Sequence, residues 1–324
     1  MQTHSPETWQ KFIVFITVLA FIILISLFTF SNSSYAEPIN YALSFDGVND
    51  NVKGPLIYDI FGGDGWRSDK TISLWIKPNG PGKPCAQPNP GHCEFIIGVV
   101  PRSWGITRGI LNEDQIYVWN IDTDDDNINQ FIRMNYTPDQ WIHITMVHSG
   151  GKLRAYKFSV QEDPNIVSSG PSFSVDTEDR KVTYLTIGGF IKENKEQYIF
   201  NGTIDEIRIY NYALSPDDIL NSLYQELTPP FNSGLKAYYR MSNGTGVNLS
   251  DDSGNNQNAV LREGLETAVP PGGPSWIASE LFGSGPTPTL PPIYTFTPTP
   301  YPQTPAPTPD PNTNNFLFLP MVRK

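Results

Sequence analysis

Apolar and polar residues alternate with a period of two in five stretches of the chain: residues 71–77 (TISLWIK), 115–119 (QIYVW), 141–146 (WIHITM), 152–156 (KLRAY) and 202–211 (GTIDEIRIYN). That period puts successive side chains on opposite sides of an extended backbone, so each stretch predicts a half-buried strand. Asn79-Gly80, Gly150-Gly151 and Gly188-Gly189 fall between such stretches. They supply tight-turn residues at intervals that suit antiparallel strands rather than crossover helices. One helix stands out: Ser215 offers an N-cap, Pro216 the first helical position and Asp218 an acid three residues after the cap. Ile219, Leu220, Leu223 and Leu227 then form an apolar stripe ahead of Pro229, which predicts a helix covering a sheet edge or end. The fold class expected is all-β, an antiparallel two-sheet sandwich with one short capping helix.

The two ends of the chain differ from this body. Lys11 precedes an apolar run over residues 12–30, and Ser34-Tyr35-Ala36 ahead of Glu37 has the small residues of an export-signal cleavage site. Residues 1–36 therefore read as a signal peptide, or as an uncleaved N-terminal membrane anchor, since the run approaches the roughly 20 residues that span a bilayer. Either reading makes the body secreted or attached at the cell surface. Residues 284–315 form a Pro/Thr-rich linker, whose repeated prolines hold the backbone extended. Residues 316–324 (FLFLPMVRK) form an apolar-basic tail, either a floppy terminus or an attachment tag held away from the body.

Composition sharpens the picture. In 324 residues there are 30 Pro and 26 Gly, and 12% of positions are aromatic, a mix that suits strands and turns. The net charge of -11 repels phosphate backbones, so nucleic acid is not an expected partner. Cys85 and Cys93 share a Pro/Gly-rich loop, and in an exported protein such a pair is expected to form a disulfide. Metal binding is the weaker reading, with His92 the only nearby partner.

Five segments in order, residues 41–50 (YALSFDGVND), 71–78 (TISLWIKP), 141–145 (WIHIT), 150–156 (GGKLRAY) and 200–211 (FNGTIDEIRIYN), resemble the laminin-G-like, concanavalin A-like jelly-roll family over about residues 41–214. The resemblance implies two antiparallel sheets packed face to face, one of them concave and facing a ligand, with a core over residues 37–230. Residues 234–282, beginning GLKAYYRM, resemble the strands that normally open this family ahead of its Ser-Phe-Asp-Gly motif. Residues 231–283 are therefore expected to complete the same sandwich out of sequence order. The rival is a truncated second repeat, which would leave strand edges unpaired.

The same architecture houses glucanases, which carry Glu-x-Asp-x-x-Glu on one strand. Aligned on Asp205, this chain has Thr203 and Arg208 at the two glutamate positions, and Glu206 is expected on the opposite face. No nucleophile elbow or phosphate-cradling Gly loop is present, and His143 and His148 read as ordinary sheet residues. Asp205 is expected to share a face with Ile207 and Ile209, where a carboxylate must be neutralised or coordinated. With Asp46 and Asp50 in the first turn it makes a candidate metal set, and the resemblance implies a structural calcium there. The alternative is that Asp205 bonds backbone amides and Asp46 caps a turn. The run Asp122, Asp124, Asp125 and Asp126 departs from the EF-hand pattern and is expected to be a solvated hairpin tip. Trp104, Tyr117 and Trp119 are the candidate ligand-stacking surface, with core filling as the alternative. The function expected is an extracellular, non-catalytic module that recognises glycans or glycoproteins. The second reading is adhesion to cell-surface or matrix proteins, and glycoside hydrolysis stands last.

Overall fold

A computed structural model describes residues 10, 15–17, 40–62, 69–84, 93–100, 104–110, 114–120, 130–150, 152–159, 165–167, 184–191, 197–267 and 272–282. Cys85, the 122–126 acidic run, the linker and the tail lie outside the described residues. So do residues 1–39, apart from Gln10 and residues 15–17. Among the described residues, no helix is long and apolar enough to cross a membrane.

The alternating segments build two antiparallel sheets. The first runs β10 (Asn165–Val167), β9 (Lys152–Ser159), β8 (Ile142–Ser149), β3 (Lys70–Pro78), β14 (Asn201–Tyr210), β1 (Tyr41–Asp46) and β19 (Ser275–Ala278), and β15 (Leu235–Tyr239) also pairs with β14. The second runs β16 (Asn248–Leu249), β17 (Ala259–Glu263), β2 (Asp50–Leu56), β11 (Tyr184–Ile187), β4 (Glu94–Val100), β5 (Trp104–Ile110), β6 (Asp114–Asn120) and β7 (Gln130–Asn135). Three short strands join it off this path: β12 (Gly189–Ile191) with β13 (Gln197–Ile199), and β18 (Glu266–Thr267) on β17. Among the described residues between 40 and 282, two short helices occur, α1 (Ile57–Phe61) and α2 (Pro216–Ser222). The sandwich is thus mostly β.

Between the sheets lies one apolar core. Leu43, Val52, Ile72, Leu74, Ile76, Ile106, Val118, Ile144, Leu185, Ile204 and Ile209 are all completely buried in it. Burial of side chains this size contributes roughly 1.5–3 kcal/mol each. Residues 235–278 enter both sheets. β15 pairs with β14 and β19 with β1 in the first, and β17 pairs with β2 in the second. The last strands in sequence therefore border the first two.

A second apolar cluster covers the outer face of the first sheet. Trp75, Tyr156, Phe158, Tyr210, Leu235 and Tyr238 from its strands pack beneath Ile219, Leu223 and Leu281. The helix α2 thus lies on a sheet face, not at the edge or end expected from its stripe. Ser215 caps it as read: its hydroxyl accepts the Asp218 N–H at 3.1 Å and Asp218 reaches back to the Ser215 N–H. It stops at Ser222, short of Leu227, because side chains from the sheet take its final carbonyls. Trp75 Nε1 donates to the Leu223 carbonyl at 3.2 Å, and Arg208 donates to those of Ser222 and Gln225 at 2.6 Å.

One glycine is required by close approach. Gly188, between β11 and β12, has a φ of 72°, and a Cβ there would sit 1.9 Å from the Phe45 ring. The Gly188 N–H donates to the Ile96 carbonyl at 2.7 Å, which fixes the point where the chain leaves β11.

Candidate functional site

On the second sheet, Val52, Leu185 and Leu261 point into the core, and their partners at alternate positions point out. Lys53 lies beside Thr186 on one side and Val260 on the other, and Arg262 lies beside Asn51. Of these, Asn51, Lys53, Thr186 and Arg262 line, with Tyr184 and Phe190, a cleft of about 280 Å³. Tyr184 is 39% exposed. The Lys53 ammonium sits 3.8 Å from the centre of its ring, a cation–π contact.

The cleft wall is fixed by local hydrogen bonds. Asn51 Nδ2 donates to the Gly264 carbonyl at 2.8 Å and to the Asn49 carbonyl at 3.2 Å. The Gly264 N–H donates back to the Asn49 carbonyl at 2.9 Å, so the β1–β2 and β17–β18 turns are locked side by side. Phe190 is braced from its other side by Tyr198, stacked with centroids 6.1 Å apart, and by Phe95. A ring, a cation–π pair and outward amide and hydroxyl groups on a rigid sheet suit a small polar ligand with one flat face.

The aromatics singled out from the sequence do not line this cleft. Trp104 is 2% exposed and belongs to the central core. Tyr117 and Trp119 do share an outward face, as their spacing predicts, but they are buried in a third cluster with Phe95. Trp119 lies flat over Gly105, where a Cβ would meet its ring at 2.4 Å, and its Nε1 donates to Thr107 Oγ1 at 3.3 Å. All three are corrected from ligand contacts to packing. Cys93 is buried in the same cluster, and no free cysteine occurs among the described residues.

The three candidate metal ligands are not gathered. β1 and β14 are neighbours, but their register sets Asp46 opposite Asn201 and Leu43 opposite Ile204, which leaves Asp205 at the far end of the pairing. Asp46 caps its turn, accepting the Val48 N–H at 2.7 Å, and Asp50 accepts the Asp46 N–H at 3.0 Å. Burial pushes the Asp50 carboxyl up to about 6, with Asp46 and Glu263 adding repulsion. Asp205 accepts the Ser279 hydroxyl at 2.6 Å and the Glu206 N–H at 2.8 Å. Calcium needs six to eight oxygens. Asp205 does not fit a common site with the other two, and among the described residues no three His, Cys, Asp or Glu side chains form a metal-binding group.

The face assigned to Asp205 also changes. A bulge between Asp205 and Arg208, with Glu206 at φ 54°, inserts one residue into the alternation. Ile204, Ile207 and Ile209 point inward, while Asp205 pairs opposite Trp75 on the outer side. Glu206 lies on that side too, not opposite Asp205. It is bound by Arg208 at 2.6 Å and by the Tyr238 hydroxyl at 2.7 Å. Burial raises both carboxyls, Asp205 far above the usual range, and Glu206 against the pull of Arg208. His143, buried in the same layer against Trp75, is held well below its usual value by burial and by Arg208. Asp205 is 0% and Glu206 1% exposed, so no substrate reaches either carboxylate and their geometry is that of a structural anchor.

Residues 63–220 match the family model described as the concanavalin A-like lectin/glucanases superfamily. A search of curated protein sequences returns no match. Among solved structures, a candidate carbohydrate-binding protein from Bacteroides ovatus superposes with a TM-score of 0.52 at 17% identity, covering 75% of this chain and 61% of that one. The chain therefore spans about three fifths of that relative's length. A heptameric SAP-like pentraxin from Limulus polyphemus gives 0.39 at 11% identity, over 72% of this chain and 100% of that one. Domains LG4-5 of the mouse laminin alpha1 chain give 0.33 at 15% identity, over 56% and 45%. The two antiparallel sheets have the jelly-roll architecture of the concanavalin A-like lectin/glucanases superfamily, whose model residues 63–220 match.

Proposed function

We propose that this chain is an extracellular, non-catalytic module that binds carbohydrate in the cleft of the second sheet. The observation that carries the reading is Tyr184, a 39% exposed ring beside Phe190 on a rigid sheet face, with Asn51 and Thr186 alongside. Sugar rings stack on such faces while their hydroxyls take up amide and hydroxyl partners. The carbohydrate-binding name of the Bacteroides ovatus structure supports the same class of ligand. The burial of both carboxylates on β14 supports binding without hydrolysis. The extracellular setting rests on residues 1–36. Calcium is left out of this proposal, because Asp46 and Asp50 offer only two carboxylates to an ion that needs more.

A glycan-array screen of the whole chain, repeated with Tyr184→Ala, tests the reading. Binding to saccharides that is lost in the variant supports it, and a folded protein that binds none overturns it. A second reading, contact with a protein, is favoured by Val48 and Leu265, which are 60% and 52% exposed at the tips of the two interlocked turns. That reading predicts partner binding sensitive to Val48→Ser and Leu265→Ser and indifferent to Tyr184→Ala.

A further inference from the structure

We infer that the saccharide taken by this cleft is acidic, and that Lys53 and Arg262 select it through a carboxylate or sulfate on the sugar. The inference rests on the carbohydrate reading above and adds the charge class of the ligand.

The chain carries 33 acidic residues against 22 Lys and Arg, so a basic side chain has counter-ions in ample supply. Four cations outside the cleft use them. Arg108 binds Glu94 at 2.8 Å, Arg208 binds Glu206 at 2.6 Å, Lys77 binds Glu280 at 2.7 Å, and Arg240 lies 3.2 Å from Glu226. The two cations of the cleft do not, and among the described residues neither do the exposed Lys152 and Arg154 of β9; what distinguishes Lys53 and Arg262 is that they line one cleft beside a ring. Among the described residues, the Arg262 guanidinium makes no ion pair and no hydrogen bond, and the Lys53 ammonium makes only its contact with the Tyr184 ring. The acid next in sequence, Glu263, does not compensate, since its carboxylate takes the Asn49 amide at 3.4 Å instead.

The register places the two cations diagonally across neighbouring strands, Lys53 opposite Val260 and Arg262 opposite Asn51. Diagonal neighbours in an antiparallel pair lie roughly 7–8 Å apart, within reach of one ligand for side chains this long. A planar guanidinium with five donors matches a carboxylate or sulfate in a two-point contact, and an ammonium supplies a movable point charge. The ring at Tyr184 supplies a stacking face beside them. A free phosphate or a nucleic acid would meet the same cations, but the net charge of -11 opposes a long phosphate chain, whereas a short acidic saccharide meets only the local field.

The test uses the full-length chain and three probes in calorimetric titrations: trigalacturonate, its carboxyl-reduced neutral counterpart, and a sulfated galactose trisaccharide. At least one acidic probe is expected to bind about tenfold or more tighter than the neutral one, with affinity falling as salt is raised. Lys53→Met and Arg262→Gln are each expected to narrow the preference for the acidic probe over the neutral one by about tenfold, with the variants' folding checked by their cooperative melting. The stronger acidic probe tells carboxylate from sulfate recognition. Equal affinity for charged and neutral probes, or neutral binding alone that depends on Tyr184, overturns the charge inference and leaves the carbohydrate reading standing. If no saccharide binds a folded protein, both fail.

Discussion

The Ser279 hydroxyl donates to the buried Asp205 carboxyl at 2.6 Å, and so joins the last described segment of the body to the bulge of a central strand. The same hydroxyl oxygen accepts the Leu281 N–H at 3.1 Å, which bends the chain back over the outer face of the first sheet. Ser279→Ala leaves a fully buried carboxyl with one partner fewer. It is expected to cost about 1–3 kcal/mol in unfolding free energy by urea denaturation, with no change in glycan binding.

Truncation after Pro230 removes β15–β19, and with them a neighbour of β14, of β1 and of β2. The shortened chain is expected to show no cooperative unfolding transition by circular dichroism. A truncated chain as stable as the intact one would show that the last strands are an accessory to the sandwich and not a component of it.

Tyr238, Glu206 and Arg208 form a buried set on the outer side of β14, with Arg208 also holding the end of α2. Removing one charge of such a set leaves the other unpaired in a dry layer. Glu206→Leu is therefore expected to destabilise by about 3–5 kcal/mol, and the double change Glu206→Leu with Arg208→Met to recover much of that loss. Additive losses would show that the two charges are not coupled.

Lys70 is 2% exposed, and burial lowers its ammonium to about 7, opposed only partially by Asp69. Below pH 7 the lysine is charged in the folded and the unfolded chain, and the folded state bears the whole cost of enclosing it. Between about 7 and its ordinary value of 10.5 only the unfolded chain keeps the proton, so stability rises with pH across that window. Between pH 7.5 and 9.5 urea midpoints are expected to climb more steeply for the natural sequence than for Lys70→Met. At pH 6 that variant is expected to be the more stable by on the order of a few kcal/mol.

Trp119→Ala is expected to lower stability by about 3–5 kcal/mol without weakening saccharide affinity per folded molecule, because the ring packs over Gly105. Tyr184→Ala is expected to do the reverse, since a ring 39% exposed contributes little to packing. An affinity loss in Trp119→Ala at full folding would return that residue to the ligand surface.

What is legible in the sequence is what a two-residue period can encode. The strands at 71–77, 141–146 and 152–156 and the Ser215 cap all lie where local pattern and chemistry place them. Straight alternation through 202–211 puts Asp205 with Ile207, and one inserted residue at the bulge reverses it. Bulges leave the composition of a strand unchanged, so nothing in the local pattern marks them. The burial of Tyr117 and Trp119 depends on neighbouring strands, β4 above all, brought in by tertiary pairing. The cleft escapes a reading of the sequence because it is assembled from residues 51–53, 184–190 and 262–265, which meet only through strand register. The outward Tyr184 and Thr186 between inward Leu185 and Ile187 follow the same period of two and are the signal available.

The pairing of β1 with β19 sets Tyr41 opposite Ala278, and the Ser279 N–H donates to the Asn40 carbonyl at 2.8 Å, so the body's entry and exit lie side by side. Tension drawn between those two points acts across the pair rather than along it, and the perpendicular hydrogen bonds of an antiparallel ladder then break singly, rung after rung. Under mechanical load this corner is a zipper that opens at small force, and the sheets behind it feel the pull only after β19 has peeled away.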